Sequence, residues 1–296
     1  MNESIHKYFQ VGTIQWMSHP TRDLLRSIRD FASDDFFDAL EVRHFANDDE
    51  RAAAKRILEQ AHMKVCYGAQ PTLLAGLNAN AVDEAERQKA EDALIAAIDE
   101  AEFLGAKGIA FLAGKWAEET FEQNYAQLLK TTTAICAYAA KKDMNVELEV
   151  FDYDMDKASL IGPAPLAARF AADMRCRCNN FGLLVDLSHF PTTYETSKFV
   201  IQTCRPYITH FHIGNNVCVP GCEGYGDLHT RFGFPNSAHA PADLVDFFRV
   251  LKQEGFMEDP ENPYVLSFEI KPFGDEEEDL VVANCKRVIN RAWALA

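Results

Sequence analysis

Strand-length apolar runs alternate with helix-length amphipathic segments eight times along this chain, and that alternation leaves few folds open to it. The strand-like runs read QVGTIQW, ALEVRHF, KVCYG, KGIAFLAG, VELEV, GLLVDLSH, YITHFHIG and YVLSFEIKP. The segments that follow them read TRDLLRSIRDFA, DERAAAKRILEQAHM, VDEAERQKAEDALIAAIDEAEFLG, residues 118–142, PAPLAARFAADM, YETSKFVIQTC, ADLVDFFRVLKQEG and EDLVVANCKRVINRAWALA. Local punctuation agrees. Asp48 and Asp49 suit the positive end of the second helix as caps, prolines open the fifth, and Gly105 and Gly255 close the third and seventh. No Gly/Ser-rich or Pro-rich linker divides the series, and no short repeat runs through it. Over 296 residues this predicts an α/β fold, a single-domain (β/α)8 TIM barrel spanning 1–296. A doubly wound open sheet competes, but no GxGxxG follows the first strand, which also argues against a nucleotide cofactor.

Four of the last strand-like runs end in a charged or imidazole side chain: Glu149, Asp186, His212 and Glu269. Such a group at the tip of a buried strand is costly unless something pairs with it. One divalent cation shared by three carboxylates and a histidine offsets that cost at all four positions. The donor set suits manganese first, with magnesium, cobalt or zinc as alternatives. In a barrel these strand ends share one face, where active sites gather.

Charge narrows the partners. The formal net charge of −16 repels polyanions, so a nucleic-acid enzyme is not expected. No apolar run reaches eighteen residues, and MNESIHKYFQVG lacks a basic-then-apolar leader, so a cytoplasmic protein with no membrane partner is expected. The eight cysteines are then reduced thiols, with pairing or metal binding by Cys218 and Cys222 the lesser alternative.

The segments Leu148–Val150 (LEV), Val185–His189 (VDLSH), His210–Asn215 (HFHIGN) and Phe268–Pro272 (FEIKP) resemble the xylose-isomerase-like TIM-barrel superfamily, in particular its ketose 3-epimerase and inosose dehydratase-like branch. That resemblance implies that Glu149, Asp186, His212 and Glu269 ligate one divalent metal. It implies an isomerase or epimerase of a ketose or keto-polyol, working through a metal-stabilised enediolate. Glu149 and Glu269 then move the proton, one taking it and the other returning it. His189, three residues beyond Asp186, contacts substrate oxygen, acts as an acid or joins a second metal site. Asp227 and His229 in YGDLHTRFG resemble the D-x-H pair of the AP-endonuclease branch. The histidines that branch also needs after strands three and four are missing from Cys66–Pro71 and Ala110–Trp116, so the nuclease reading is rejected.

Asp227, His229 and Arg231 become substrate-loop candidates, unless the first two merely pin the loop. Residues 213–240 make a long Gly-, Pro- and Asn-rich connection that can fold over the site as a lid. Trp16 and Gln70 are expected to line the pocket, and Gln15, His19, Tyr67 and Lys115 stand at neighbouring strand ends. His210 is expected one layer deeper, as a satisfied core residue, and Glu41 as a buried paired carboxylate. A lyase or dehydratase acting on a keto-sugar, inosose or 3-keto-glycoside shares the same first step. A non-catalytic sugar-binding barrel is the third reading, set against the completeness of the ligand set. The expected partner is a small carbohydrate or polyol. Association with further copies of the chain or with an accessory subunit is left open.

Overall fold

The computed structural model describes residues 3–152 and 154–296. Among them eight parallel strands close into a barrel in chain order: β1 (Phe9–Ile14), β2 (Ala39–Val42), β3 (Lys64–Gly68), β4 (Gly108–Leu112), β5 (Asn145–Val150), β6 (Phe181–Asp186), β7 (Ile208–Gly214) and β8 (Tyr264–Glu269), which pairs back onto β1. Around it run α1 (Gln15–Ser18), α2 (Leu24–Ala32), α3 (Asp48–Gln60), α4 (Gln70–Leu74), α5 (Glu84–Leu104), α6 (Phe121–Ala140), α7 (Ala164–Arg175), α8 (Ser197–Cys204), α9 (Pro241–Gln253) and α10 (Glu278–Leu295). The TIM-barrel architecture expected from the alternation is the one observed. No helix among the described residues is long and apolar enough to cross a membrane, and all eight cysteines are free thiols.

Alternation along each strand sorts the side chains. Leu148, Leu183, Phe211 and Leu266 are fully buried in the main apolar core. Phe211, for example, sits edge-on to Phe9, Phe247 and Phe256. The opposite faces of the strands point into the barrel, and what they bring there is largely polar. Glu41, Glu147, Glu149, His210, His212, Thr13 and Ser267 are all buried. A small apolar cluster of Ala39, Cys66 and Val265 stands apart from the main core. A barrel filled by layers of branched aliphatics is the usual solution. This one instead carries a polar column along its axis.

Several boundaries differ from the sequence expectation, each for a local reason. Asn47, not Asp48 or Asp49, caps α3: its side chain accepts from the amides of Asp49 (2.8 Å) and Glu50 (3.2 Å). The two aspartates lie in the first turn, where they meet the positive end of the helix dipole. Helix α8 starts at Ser197 rather than Tyr194, because Tyr194 is left-handed (φ 61°) and Thr196 caps the amide of Phe199. Strand β1 stops at Ile14, and Gln15 and Trp16 turn into α1. Strand β2 stops at Val42. Beyond it, the amide of Phe45 donates to the buried Glu100 carboxylate (3.1 Å). Strand β8 ends at Glu269, after which the amide of Lys271 donates to the carbonyl of His229 (2.7 Å) and ties the strand to the loop after β7.

Candidate metal centre

The C-terminal ends of β5 to β8 bring Glu149, Asp186, His212 and Glu269 together. One ligand atom from each lies within 4.8 Å of the others, and all four residues are buried. Strand register explains the convergence: Asp186 lies opposite His212, and Gly214 lies opposite Glu269. A bulge in the β6–β7 ladder between Leu183 and Leu184 leaves Thr209 unmatched, and beyond it both His210 and His212 face inward. Gly214 is required here. A Cβ at that position meets Asp186 Oδ2 and the Glu269 carbonyl at 3.0 Å.

Each ligand candidate has a distinct set of neighbours. His212 directs Nδ1 at Glu269 Oε2 (2.7 Å) and Glu149 Oε1 (3.6 Å), and Nε2 at Glu41 Oε1 (2.9 Å). Gln70 donates from Nε2 to Glu149 Oε2 (2.8 Å), while Glu149 Oε1 has no hydrogen-bond partner. Asp186 accepts from the amide of Ser188 (2.9 Å) and from its hydroxyl. Burial raises a carboxyl pKa, but at Glu149 the partners His189 and His212 overcome it and hold the group down at about 2. At Glu269 burial and the adjacent Glu149 charge prevail over His229 and His212, and the carboxyl is raised. His212 is desolvated as well, yet Glu41 and Glu269 keep its imidazolium form well above the ordinary range.

A second layer surrounds these groups. His189 Nε2 lies 3.8 Å from both Glu149 and Asp186, and its Nδ1 lies 3.8 Å from Asp227, with no hydrogen bond made by either nitrogen. His229 sets Nε2 3.0 Å from Asp227 Oδ1 and 3.6 Å from Glu269 Oε1. Asp227 is also held by Lys157 Nζ at 2.9 Å. Against its desolvation, Asp227, Glu149 and Asp186 raise His189 to about 9. Glu269 and Asp227 likewise raise His229 to about 10. Asp186, His189 and His229 form a further cluster of metal-ligand geometry.

Three buried carboxylates converge on one imidazole, and although His189, His212 and His229 offset part of their charge, Glu149 Oε1 is left with no hydrogen bond. The donor set of three oxygens and one nitrogen fits a divalent cation, which these residues could hold.

The cavity above this cluster has a volume of about 210 Å³. Trp16, Gln70, Glu149, Asp227, His229 and Glu269 all line it, whereas His189 is not in the lining and is buried beside Glu149 and Asp186. Arg231 is not brought there: its Nε pairs with Glu276 (2.7 Å) in an outer groove beside α10. His19 is turned into the core, stacked on Phe31 with ring centroids 4.3 Å apart, and Gln15 donates to Ser27 (3.0 Å). Tyr67 sends its hydroxyl to Glu100 (2.7 Å), on the helix side of the sheet, and Lys115 joins Ser159 through a backbone bridge. Lys157, Phe151, Leu74 and Leu228 are also in the wall. No motif marks them in the sequence. Lys157 is placed by Asp152, whose buried carboxylate accepts four backbone amides, from Met155 to Ala158. His210 and Glu41 are paired and buried, one layer below the cluster, as expected.

The loop after β7 is fastened at its base. Asn215 accepts from the amide of His239 (2.8 Å) and donates to the carbonyl of Arg231 (3.0 Å). Asn216 accepts from the amide of His229 and donates to Asp227, both at 3.0 Å.

A sequence model of the family described as xylose isomerase-like TIM barrel matches residues 30–287. No curated protein sequence matches the chain. Among solved structures, a D-psicose 3-epimerase from Clostridium cellulolyticum H10, determined with D-tagatose, superposes with a TM-score of 0.74 at 16% identity, covering 97% of this chain and 99% of its own. A 3-keto-D-glucoside 4-epimerase from E. coli gives 0.70 at 13% identity, over 95% and 99%. An AP endonuclease of family 2 from Brucella melitensis gives 0.70 at 17% identity, over 94% and 98%. At these identities the likeness is one of fold.

Proposed function

The chain belongs to the xylose isomerase-like TIM-barrel family, and from that membership and the geometry of the barrel mouth we propose that it is a divalent-metal-dependent epimerase or isomerase of a ketose or keto-polyol. The observation that carries this reading is the pair Glu149 and Glu269 within one buried ligand cluster, with Glu149 Oε1 left without a partner. Glu149, Asp186, His212 and Glu269 would hold the cation, manganese by preference. When bound, the cation supplies a Lewis acid for adjacent hydroxyl and carbonyl oxygens, acidifying the carbon-bound hydrogen between them.

The protein's own groups then divide the work. Gln70 donates to Glu149 Oε2 and so fixes the orientation of the carboxylate that would take the proton. Glu269, on the neighbouring side of the cluster, returns one to the opposite face or to the adjacent carbon. Asp227 and His229 lie where they can bond the substrate's other hydroxyls, and Trp16 offers an apolar wall to a sugar face. The segment 213–240 serves as the cover of the site. Its base is pinned by Asn215 and Asn216. Free thiols suit a reducing, cytoplasmic setting.

A lyase outcome is favoured by one observation. His189 is buried beside Glu149, has no hydrogen bond at either nitrogen and is held in its protonated range, so it is available to protonate a departing group. A nuclease is disfavoured by the net charge of −16 and by the lack of histidines in Cys66–Pro71 and Ala110–Trp116.

The experiment is a manganese-loaded assay against ketoses, inososes and 3-keto-glycosides in deuterated water, read by NMR. Deuterium on an inverted or shifted centre supports the epimerase or isomerase. Loss of water or aglycone selects the lyase. Absence of exchange on every keto-sugar would count against both.

A further inference from the structure

Glu41 lies on β2, separated from β7 by β1 and β8 around the barrel, and is 1% exposed. Its Oε1 receives Nε2 of His212 at 2.9 Å and Nε2 of His210 at 3.1 Å, while its Oε2 has no partner. His210 continues the chain through Nδ1 to Glu147 Oε2 at 2.9 Å. His212 turns its Nδ1 to the ligand cluster, between Glu269 and Glu149.

A carboxylate only accepts, so each Nε2 facing Glu41 carries its hydrogen. With Nε2 protonated, the lone pair of a neutral His212 is on Nδ1, the nitrogen that faces the cluster. We propose that Glu41 is a positioning residue that selects the Nδ1 ligand atom of His212, with His210 and Glu147 holding Glu41 in place. This rests on the metal-centre reading above and says how that centre is oriented. A half-turn of the His212 ring would put carbon where each nitrogen stands. Glu41 Oε1 would lose one of its two bonds while Oε2 has none to replace it, an expensive result for a buried carboxylate. The arrangement matches the general pattern in which a carboxylate behind a metal-bound histidine fixes its tautomer and raises its basicity.

A merely structural Glu41, bracing β2 against β7 across the barrel, makes different predictions, and three measurements separate the two. In the zinc-loaded, 15N-histidine-labelled full chain, two-bond proton–nitrogen spectra are expected to show His212 with metal on Nδ1 and hydrogen on Nε2. Calorimetric titration with Mn²⁺ is expected to show Glu41→Ala binding about ten- to a hundredfold more weakly than the parent. Glu41→Gln, whose amide oxygen can still accept both hydrogens, is expected to recover most of that loss.

Metal on Nε2 of His212 in the parent overturns the inference, and this measurement needs no variant to fold. A folded Glu41→Ala chain that binds Mn²⁺ as tightly as the parent also overturns it, while leaving the metal centre standing. A parent chain that binds neither Mn²⁺ nor Zn²⁺ overturns the metal centre and this inference together.

Discussion

His212 Nδ1 lies 2.7 Å from Glu269 Oε2, with both side chains buried. At that distance a proton must sit between the two atoms unless a cation binds both. His212 is raised well above its ordinary range, against its desolvation, by Glu41 and Glu269. Cation binding therefore has to expel a proton. Below the raised pKa the proton competes, so Mn²⁺ affinity should climb with rising pH through the neutral range and fall on acidification. Titrations in buffers of different ionisation enthalpy should report proton release. Affinity that is flat between pH 6 and 9 would contradict this.

Replacing Glu149 or Glu269 by Gln keeps the shape and removes the base. Each change is expected to lower kcat by roughly 10²–10⁴-fold, the range typical of a lost general acid or base. In metal-free buffer Glu269→Gln should melt no lower than the parent, because burial and the Glu149 charge disfavour that carboxylate, whereas Glu149→Gln should melt lower, because it removes the charge that His189 and His212 hold ionised. Full turnover by both variants would end the two-glutamate mechanism.

Gly68 lets the Trp16 indole lie against β3. A Cβ there falls 2.4 Å from the indole Cη2 and 2.8 Å from Gln70 Oε1. Gly68→Ala is expected to displace Trp16 from the cavity wall. KM should rise more than kcat falls, at a stability cost of about 1–3 kcal/mol for overpacking. Substrate titration together with urea melts reads both, and unchanged KM would remove Trp16 from the substrate wall.

Burial, helped by the nearby Arg22 charge, lowers the pKa of His19. The folded protein keeps this ring neutral where the unfolded chain, with a pKa of about 6.5, takes up a proton. Stability from this group is therefore complete above pH ~6.5 and is lost as pH falls below it. His239, lowered by burial as well, acts in the same direction. Glu278, Asp279 and Asp30 face His19 and moderate the effect. In His19→Gln the fall in melting temperature between pH 7.5 and 5.5 should be smaller than in the parent. An identical slope would refute the assignment.

The barrel was legible in the sequence because parallel strands buried on both faces, alternating with capped amphipathic helices, leave a strong local signal. Glu149, Asp186, His212 and Glu269 were legible for the same reason, being polar groups that interrupt such runs at their ends. Glu41 was recognisable as a paired carboxylate, but its partners His210 and His212 were not. The contacts join β2 to β7 across a closed barrel, and no spacing along the chain encodes them. Arg231 follows the D-x-H pair closely, yet the loop turns between them and gives its guanidinium to Glu276. Lys157 reaches the site only because the Asp152 carboxylate gathers four amides around itself, a local fold with no periodic signature.

The two asparagines that clamp the foot of the β7 loop divide it into a fastened part and a free one. Asp227 and His229 are anchored beside the reacting groups, while Val219, half exposed, and its neighbours up to Glu223 project outward. That short stretch can be rewritten as a cassette. Exchanging it should leave the cavity lined by Asp227 and His229 as it is, which makes it a natural graft point on this protein.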